Sequence, residues 1–96
     1  MMRMQCIGAG VMSSAFAHLQ AKKHLVSIYP SPFDVAVCQR IDELGSDPRF
    51  DTPWPEQLSI VDKIDTSVDI LVIGVSSQGI EWAIECCKQV HEKAAV

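Results

Sequence analysis

Residues 4–17 read M-Q-C-I-G-A-G-V-M-S-S-A-F-A, an apolar run that meets two glycines and continues into a stretch with helical spacing. Met4–Ile7 predicts a short buried strand that ends at Gly8. Val11–Lys23 predicts a helix, because four residues recur at the spacing of one helix face: Met12, Ala15, Phe16 and Leu19. The chain therefore opens with a strand, a tight glycine turn and a helix.

The rest of the chain continues this alternation of strands and helices. The further strands are predicted at Leu25–Tyr29, Leu58–Val61 and Asp69–Val75, and the further helices at Asp34–Leu44, with Gly45 as its cap, and at Ile80–His91. We expect Asp69–Val75 to be covered on both faces, since it is apolar at nearly every position. The inner face of the last helix is predicted to hold Ile80, Ala83, Ile84, Cys87 and Val90.

Alternation of this kind implies parallel strands joined by right-handed crossovers. The predicted fold is α/β: a three-layer Rossmann-type parallel sheet in the order 3-2-1-4, of which this chain holds the first half only. Residues 1–96 are predicted to form one partial NAD(P)-binding domain, without a substrate domain.

Composition excludes several classes of function. The net charge is −4 and no basic stripe is present, which argues against nucleic acid as a partner. No apolar run approaches the ~20 residues that a membrane span needs. The four cysteines, at positions 6, 38, 86 and 87, lack zinc or C-x-x-C spacing and are expected to be reduced thiols. We expect a cytoplasmic protein without a metal site.

The glycine turn has the context of a dinucleotide fingerprint. Gly8 would form the tight turn out of the strand, and Gly10 would let the backbone approach a diphosphate. The free N–H groups near Val11 and Met12 would then point at the anion at the helix N-terminus. Ser13 stands where the fingerprint has its third glycine, and we expect its side chain to move the helix slightly outward. The alternative is a tight turn that binds no ligand.

The choice between NAD and NADP stays open in the sequence. An acidic residue for the adenosine ribose normally follows the second strand, about 20 residues past the glycines. Here Pro30 follows that strand, Asp34 comes a few residues late, and no arginine is placed for a 2′-phosphate. Ser31 is a candidate donor to a ribose hydroxyl or a phosphate, although an ordinary loop serine is the simpler interpretation.

Three segments in order resemble the NAD(P)-dependent glycerol-3-phosphate dehydrogenases. I-G-A-G-V-M-S-S-A-F-A (residues 7–17) is similar to the family's G-x-G-x-W-G-x-A-x-A, with Met12 and Ser13 in place of Trp and Gly. D-P-R-F (47–50) resembles the family's N-x-R/K-Y/F-L-P-G loop. D-I-L-V-I-G-V-S-S-Q (69–78) resembles D-x-I-x-x-x-V-P-S/H-Q. Ketopantoate reductases and 6-phosphogluconate dehydrogenases share the glycine turn, but match the other two segments less well.

The resemblance implies an oxidoreductase whose intact form passes a hydride between NAD(P)H and dihydroxyacetone phosphate. It places Ser77 and Gln78 beside the nicotinamide and Phe50 near the cofactor, where a plain core aromatic is an equal alternative. The family's catalytic lysine and helical domain have no counterpart here, so no catalytic residue is assigned and the chain is expected to be inactive on its own. The second hypothesis is a non-catalytic nucleotide-sensing or protein-interaction module.

Two further expectations concern surfaces. His18, His24 and His91 lack a paired carboxylate in the sequence, so we expect them on the surface or at helix ends. The strand Asp69–Val75 would lie at an unpaired sheet edge, and long apolar edges recruit other chains. The sequence therefore predicts a homodimer through this edge or through neighbouring apolar faces.

Overall fold

The computed structural model describes the backbone of residues 1–93 and the side chains of residues 1–89. Strands and helices alternate along this part of the chain, as the sequence predicts. The strands are β1 (Arg3–Ile7), β2 (Leu25–Tyr29), β3 (Leu58–Ile60) and β4 (Ile70–Ile73). The helices are α1 (Val11–Gln20), α2 (Val35–Leu44) and α3 (Ile80–Lys93), and short 3₁₀ turns, Pro32–Asp34 and Ser77–Gly79, lead into α2 and α3.

The strands form one parallel sheet in the order β3-β2-β1-β4, which confirms the predicted α/β class and strand order. Strand β1 is central, with Ile7 opposite Tyr29 on one side and opposite Ile73 on the other. The chain therefore leaves β1, β2 and β4 at the same edge of the sheet. The glycine turn that follows β1 lies between the segments that follow its two neighbours.

Two hydrophobic cores cover the two faces of the sheet, because successive residues of a strand point to opposite faces. Met4 and Cys6 pack on one face with residues of α1, α2, β2 and β3. Ile7 packs on the other face with Ala83 and Cys86 of α3. The arrangement has three layers, with α1 and α2 on one side of the sheet and α3 on the other.

Helix α1 begins at Val11 as predicted, but its buried face is not the predicted one. The residues with low exposure are Ser13, Ser14, Ala17 and His18. Met12 and Leu19, by contrast, are 84% and 58% exposed. Both sets recur at helical spacing, and the two serine hydroxyls donate to carbonyl groups of the glycine turn. Since these hydroxyls keep hydrogen-bond partners, burying them costs little.

Helix α3 and strand β4 also differ from the prediction, for a shared reason. Strand β4 pairs only with β1 within residues 1–93, so it is an edge strand, and Ile73 is 52% exposed rather than covered. Ala83 and Cys86 form the buried face of α3, while Ile80 and Ile84 extend past the sheet edge and are about half exposed. The predicted inner-face residue Val90 lies outside the described side chains, and so does His91.

Helix α2 matches its prediction most closely. It ends at Leu44, and Gly45 follows with φ +71°, in the left-handed conformation that favours glycine at a helix end. Ile41 is buried, whereas Leu44 is half exposed. The 3₁₀ turn before α2 holds Asp34 outside the helix.

Candidate functional site

Gly8 makes the turn out of β1 in a conformation that other residues rarely adopt. Its φ is +101°, and its N–H donates to the carbonyl of Tyr29 at 2.8 Å. A Cβ atom at this position would lie 2.5 Å from the carbonyl oxygen of Gly74. Both the backbone conformation and the close approach of the β4 exit therefore require glycine here.

Ser13 fits against the sheet because the residue facing it is a glycine. A Cβ atom on Gly74 would lie only 2.5 Å from the Cβ of Ser13. The fingerprint's close packing between helix and strand is thus kept with the small residue on the strand side. Ser13 Oγ also donates to the carbonyl of Gly8 at 2.8 Å. Because Gly74 has no side chain, the helix has room for Ser13 without the outward displacement that we expected.

Ala9, between the two glycines, is held through both of its backbone polar groups. Its N–H donates to Asp34 Oδ2 at 2.9 Å. Its carbonyl accepts from Arg49 Nη1 at 2.9 Å and from Ser14 Oγ at 3.2 Å. Two segments that are distant in sequence, together with Ser14 in the first turn of α1, therefore fix the orientation of the peptide groups in the turn.

Arg49 reaches the turn from a buried ion pair with Asp47. The Asp47 side chain is 1% exposed and accepts from Arg49 Nε at 3.0 Å and from Nη2 at 2.7 Å. Burial by itself raises the pKa of Asp47, but the hydrogen bonds and the charge of Arg49 outweigh it, so the pKa lies below its ordinary value. The carboxylate stays ionised and keeps the guanidinium in place.

The N-terminus of α1 has no side-chain cap. Gly10 is the N-cap residue, with extended backbone, and no side chain bonds to the first turn. Within the described residues, no acceptor contacts the backbone N–H groups of Gly10, Val11 and Met12, which we call the amide cradle. A Cβ atom on Gly10 would meet nothing within 4 Å, so the space in front of the cradle lies outside the protein. Open amides at the N-terminus of a helix are the arrangement with which helices commonly bind anions in proteins.

Asp34 is the acidic residue that the sequence placed too late. The Ser31 hydroxyl accepts from the N–H of Phe33 at 3.1 Å, and the Ser31 N–H donates to Asp34 Oδ2 at 2.7 Å. This reciprocal capping box bends the chain after β2 and returns Asp34 to the glycine turn. The pattern Ser-x-x-Asp at residues 31–34 is the sequence signal that would have found it. Ser31 itself, a predicted ligand donor, is 8% exposed and uses its hydroxyl within this box.

Phe50 lies in an aromatic cluster beside the turn. Its ring centroid is 4.9 Å from that of His18, and Trp54 meets the same histidine edge-on at 5.3 Å. His18 lies in the last turn of α1, at one of the two predicted places, but it is buried rather than on the surface: it is 9% exposed and its Nδ1 hydrogen-bonds to the carbonyl of Ser14 at 2.8 Å. Among the described residues Nε2 has no partner. The prediction missed His18 because residues more than 30 positions later cover it.

The predicted nicotinamide residues lie apart from this group. Ser77 and Gln78 are exposed in the 3₁₀ turn that follows β4, at the same sheet edge as the glycine turn. No hydrogen bond of the described residues joins their side chains to the cradle. The structure thus brings together Gly8, Gly10, Val11 and Met12 in the turn, packs Phe50 on His18, and leaves Ser77 and Gln78 exposed.

The described part of the chain shows neither a metal-binding cluster nor a membrane-spanning helix. No group of three or more His, Cys, Asp or Glu side chains there is arranged to hold a metal ion. The cysteines are free, and burial is the main cause that raises the pKa of Cys6, Cys38 and Cys86, which keeps these thiols protonated. Within residues 1–93, no helix combines the length and the apolar character needed to cross a bilayer.

Comparison with known proteins adds no assignment. No protein-family model matches this chain, and no curated protein matches it significantly.

Proposed function

We propose that this chain binds a pyridine dinucleotide, NAD or NADP, with the diphosphate on the amide cradle. The observation that carries the proposal is the assignment of polar groups in the turn. Ser13 Oγ, Ser14 Oγ and Arg49 Nη1 take up the carbonyls of Gly8 and Ala9, while the N–H groups of Gly10, Val11 and Met12 stay open. A diphosphate supplies the acceptors that these amides lack, and the α1 dipole favours its charge.

The residues fit such a group in size as well as in charge. Gly10 offers open space where a side chain would stand between the cradle and a phosphate. Phe50 packs on His18 and the Ser31 hydroxyl bonds to Asp34, so both side chains already have partners within the protein. By the resemblance to glycerol-3-phosphate dehydrogenases, the bound cofactor would exchange a hydride with dihydroxyacetone phosphate in the intact enzyme. The described residues carry binding and orientation, and no catalytic role is assigned to them.

The direct test is titration with NADH, followed by the fluorescence of the reduced nicotinamide. We expect saturable enhancement below millimolar NADH for the unchanged chain. Gly10→Ala should abolish or strongly weaken this signal, because the new methyl group enters the space of the diphosphate. The backbone of Gly10 has φ −66° and ψ 172°, which alanine adopts freely, so the variant should unfold at nearly the same temperature.

Gly45→Ala is the matched control for that substitution. Its Cβ also meets nothing within 4 Å, but the φ of +71° strains alanine and should cost about 1 kcal/mol of stability. The control should therefore lose stability and keep NADH binding, the reverse of Gly10→Ala. A flat NADH trace for the unchanged chain, or equal binding by Gly10→Ala, would contradict the proposal.

A protein-interaction module is the second candidate. The observation that favours it is the exposed apolar edge formed by β4 and α3, where Ile73, Ile80 and Ile84 are each about half exposed. This candidate predicts assembly without any response to NADH.

A further inference from the structure

We infer that this chain selects NAD(H) over NADP(H), and that Asp34 is the residue that decides it. The inference depends on the proposed function, since it concerns the ribose next to the same diphosphate. It also goes beyond the sequence, in which the position after β2 holds a proline and the cofactor choice stays open.

The Asp34 carboxylate lies directly beside the glycine turn. Asp34 Oδ2 lies 2.9 Å from the backbone nitrogen of Ala9, the residue directly before the first cradle amide. A carboxylate beside the glycine turn lies where the adenosine ribose of a bound dinucleotide meets the protein, and it accepts hydrogen bonds from the ribose hydroxyls. Asp34 thus fills the place of the usual acid, although it is several residues later in sequence.

Hydrogen bonds fix one oxygen of the Asp34 carboxylate and leave the other free to accept. The N–H of Ser31 donates to Oδ2 at 2.7 Å and its hydroxyl donates at 2.8 Å, in addition to the N–H of Ala9. All three contacts fall on the same oxygen. Among the described residues no donor contacts Oδ1, so this oxygen remains available to a ribose hydroxyl.

The surroundings of this carboxylate are acidic. A shallow pocket beside it runs along α2 from Pro30 to Asp42, and its charged residues are Asp34 and Asp42. Arg40 lies on the same helix but pairs with Glu43 at 3.7 Å. The guanidinium of Arg49 is engaged by Asp47, Ser14 and the carbonyl of Ala9. The residues that line this pocket therefore offer a 2′-phosphate two carboxylates and no cation.

A 2′-phosphate at this place carries nearly two negative charges at neutral pH and replaces the hydroxyl that Oδ1 would bind. NADPH should therefore lose a hydrogen bond and meet repulsion from a fixed carboxylate. We expect NADH to bind at least about tenfold more tightly than NADPH at low ionic strength, and the ratio to fall as salt screens the exposed charges.

The experiment is a parallel titration of the full chain with NADH and NADPH by nicotinamide fluorescence, with isothermal calorimetry as a second measurement. Asp34→Asn keeps the shape of the side chain and an oxygen for the Ala9 N–H, but removes the charge. This variant should bind NADH several-fold more weakly and NADPH no more weakly than before. The ratio of the NADPH and NADH dissociation constants should therefore fall toward one. Glu56→Gln removes the same charge from an exposed position in the loop before β3 and should leave the preference unchanged.

The outcomes separate the two claims. Binding of NADH with equal or tighter binding of NADPH by the unchanged chain overturns the selectivity inference and leaves the proposed function intact. An unchanged preference in a folded Asp34→Asn variant overturns the role of Asp34. Binding of neither nucleotide overturns the proposed function and this inference with it. The comparison in the unchanged chain needs no variant, so it decides the selectivity even if Asp34→Asn unfolds.

Discussion

The glycine turn at the end of β1 and the edge formed by β4 and α3 differ in how far the protein itself supplies partners for their exposed groups. In the turn, each carbonyl has a donor and each close approach is made by a glycine, with the contacts supplied by α1, the 3₁₀ turn before α2 and the segment around Arg49. At the edge, Ile73, Ile80 and Ile84 are each half exposed, and the outer side of β4 has no partner within residues 1–93.

This difference separates two kinds of surface. The turn is preorganised: its polar groups are held by the protein itself, so a ligand would meet amides already aligned. The edge is incomplete, because its apolar residues gain little until another chain covers them. The first surface is therefore expected to respond to small changes in geometry, and the second to changes in hydrophobicity.

The largest effect is expected at the ion pair that holds the turn. Asp47→Asn leaves the partly buried Arg49 without its counter-charge and should lower the free energy of unfolding by about 3 kcal/mol at neutral pH. Because the folded pKa of Asp47 lies below its ordinary value, the stabilisation is fully present above the unfolded pKa and is lost as pH falls through the folded pKa. The cost of the substitution should therefore shrink in acid.

Urea unfolding of the chain and of the variant at neutral pH and at a series of acidic pH values measures this difference. Glu85→Gln is the control, since Glu85 pairs with Lys88 at 3.1 Å on an exposed face and its loss should change stability by less than about 0.5 kcal/mol. A cost of Asp47→Asn that stays constant from neutral to acidic pH would show that the ion pair does not stabilise the turn.

A smaller effect is expected where α1 meets the end of β4. Gly74→Ala places a methyl group 2.5 Å from the Cβ of Ser13, and such overpacking should cost about 2 kcal/mol. Ser13→Gly alone should cost about 1 kcal/mol, through helix propensity and the lost bond to the Gly8 carbonyl. In the double variant the alanine enters the space left by the serine side chain, so the two costs should not add.

Thermal or urea unfolding of the two single variants and the double variant completes the cycle. A double variant at least as stable as Gly74→Ala shows that the small residue can stand on either side of the contact. Additive losses would mean that the contact between Ser13 and Gly74 is not limiting and that the helix moves to admit the extra methyl group.

The sequence predicted the fold better than the site, and the reason is physical. Strand order follows from local alternation, and the glycine turn follows from a pattern within Ile7–Val11, so both are visible along the chain. The contacts of Asp34 and Arg49 with Ala9 join residues 25 and 40 positions apart, and no local periodicity encodes them. The pattern Ser31-x-x-Asp34 was the one local sign, since a capping box implies a bend that returns the acid to the strand end.

Helix α1 shows a second limit of periodicity. Met12, Phe16 and Leu19 repeat at helical spacing, yet it is Ser13 and Ser14 that face the sheet. Spacing identifies the helix but does not choose between two faces when one offers small residues and the other offers apolar ones. The sheet side leaves room for small residues, because Gly8, Ala9 and Gly74 bring the backbones close together.

The smallest effect on stability, and the one that tests the other side of the comparison, is expected at the β4–α3 edge. Ile84 is 51% exposed in a groove that it shares with Ile73, Ile80 and Cys87, so Ile84→Lys should change the free energy of unfolding by less than about 1 kcal/mol. It should act on assembly instead. We expect the unchanged chain to dimerise through this edge and the lysine variant to be a monomer, because two lysines brought together at a two-fold interface repel.

Light scattering after size-exclusion chromatography measures this across a range of protein concentration. Leu19→Lys is the matched control: it is 58% exposed on α1, on the opposite face of the sheet, and should leave the assembly unchanged. A loss of dimer in the control rather than in Ile84→Lys would move the interface to the α1 face. A monomer at all concentrations for the unchanged chain would mean that the exposed isoleucines alone are not enough to bring two copies together.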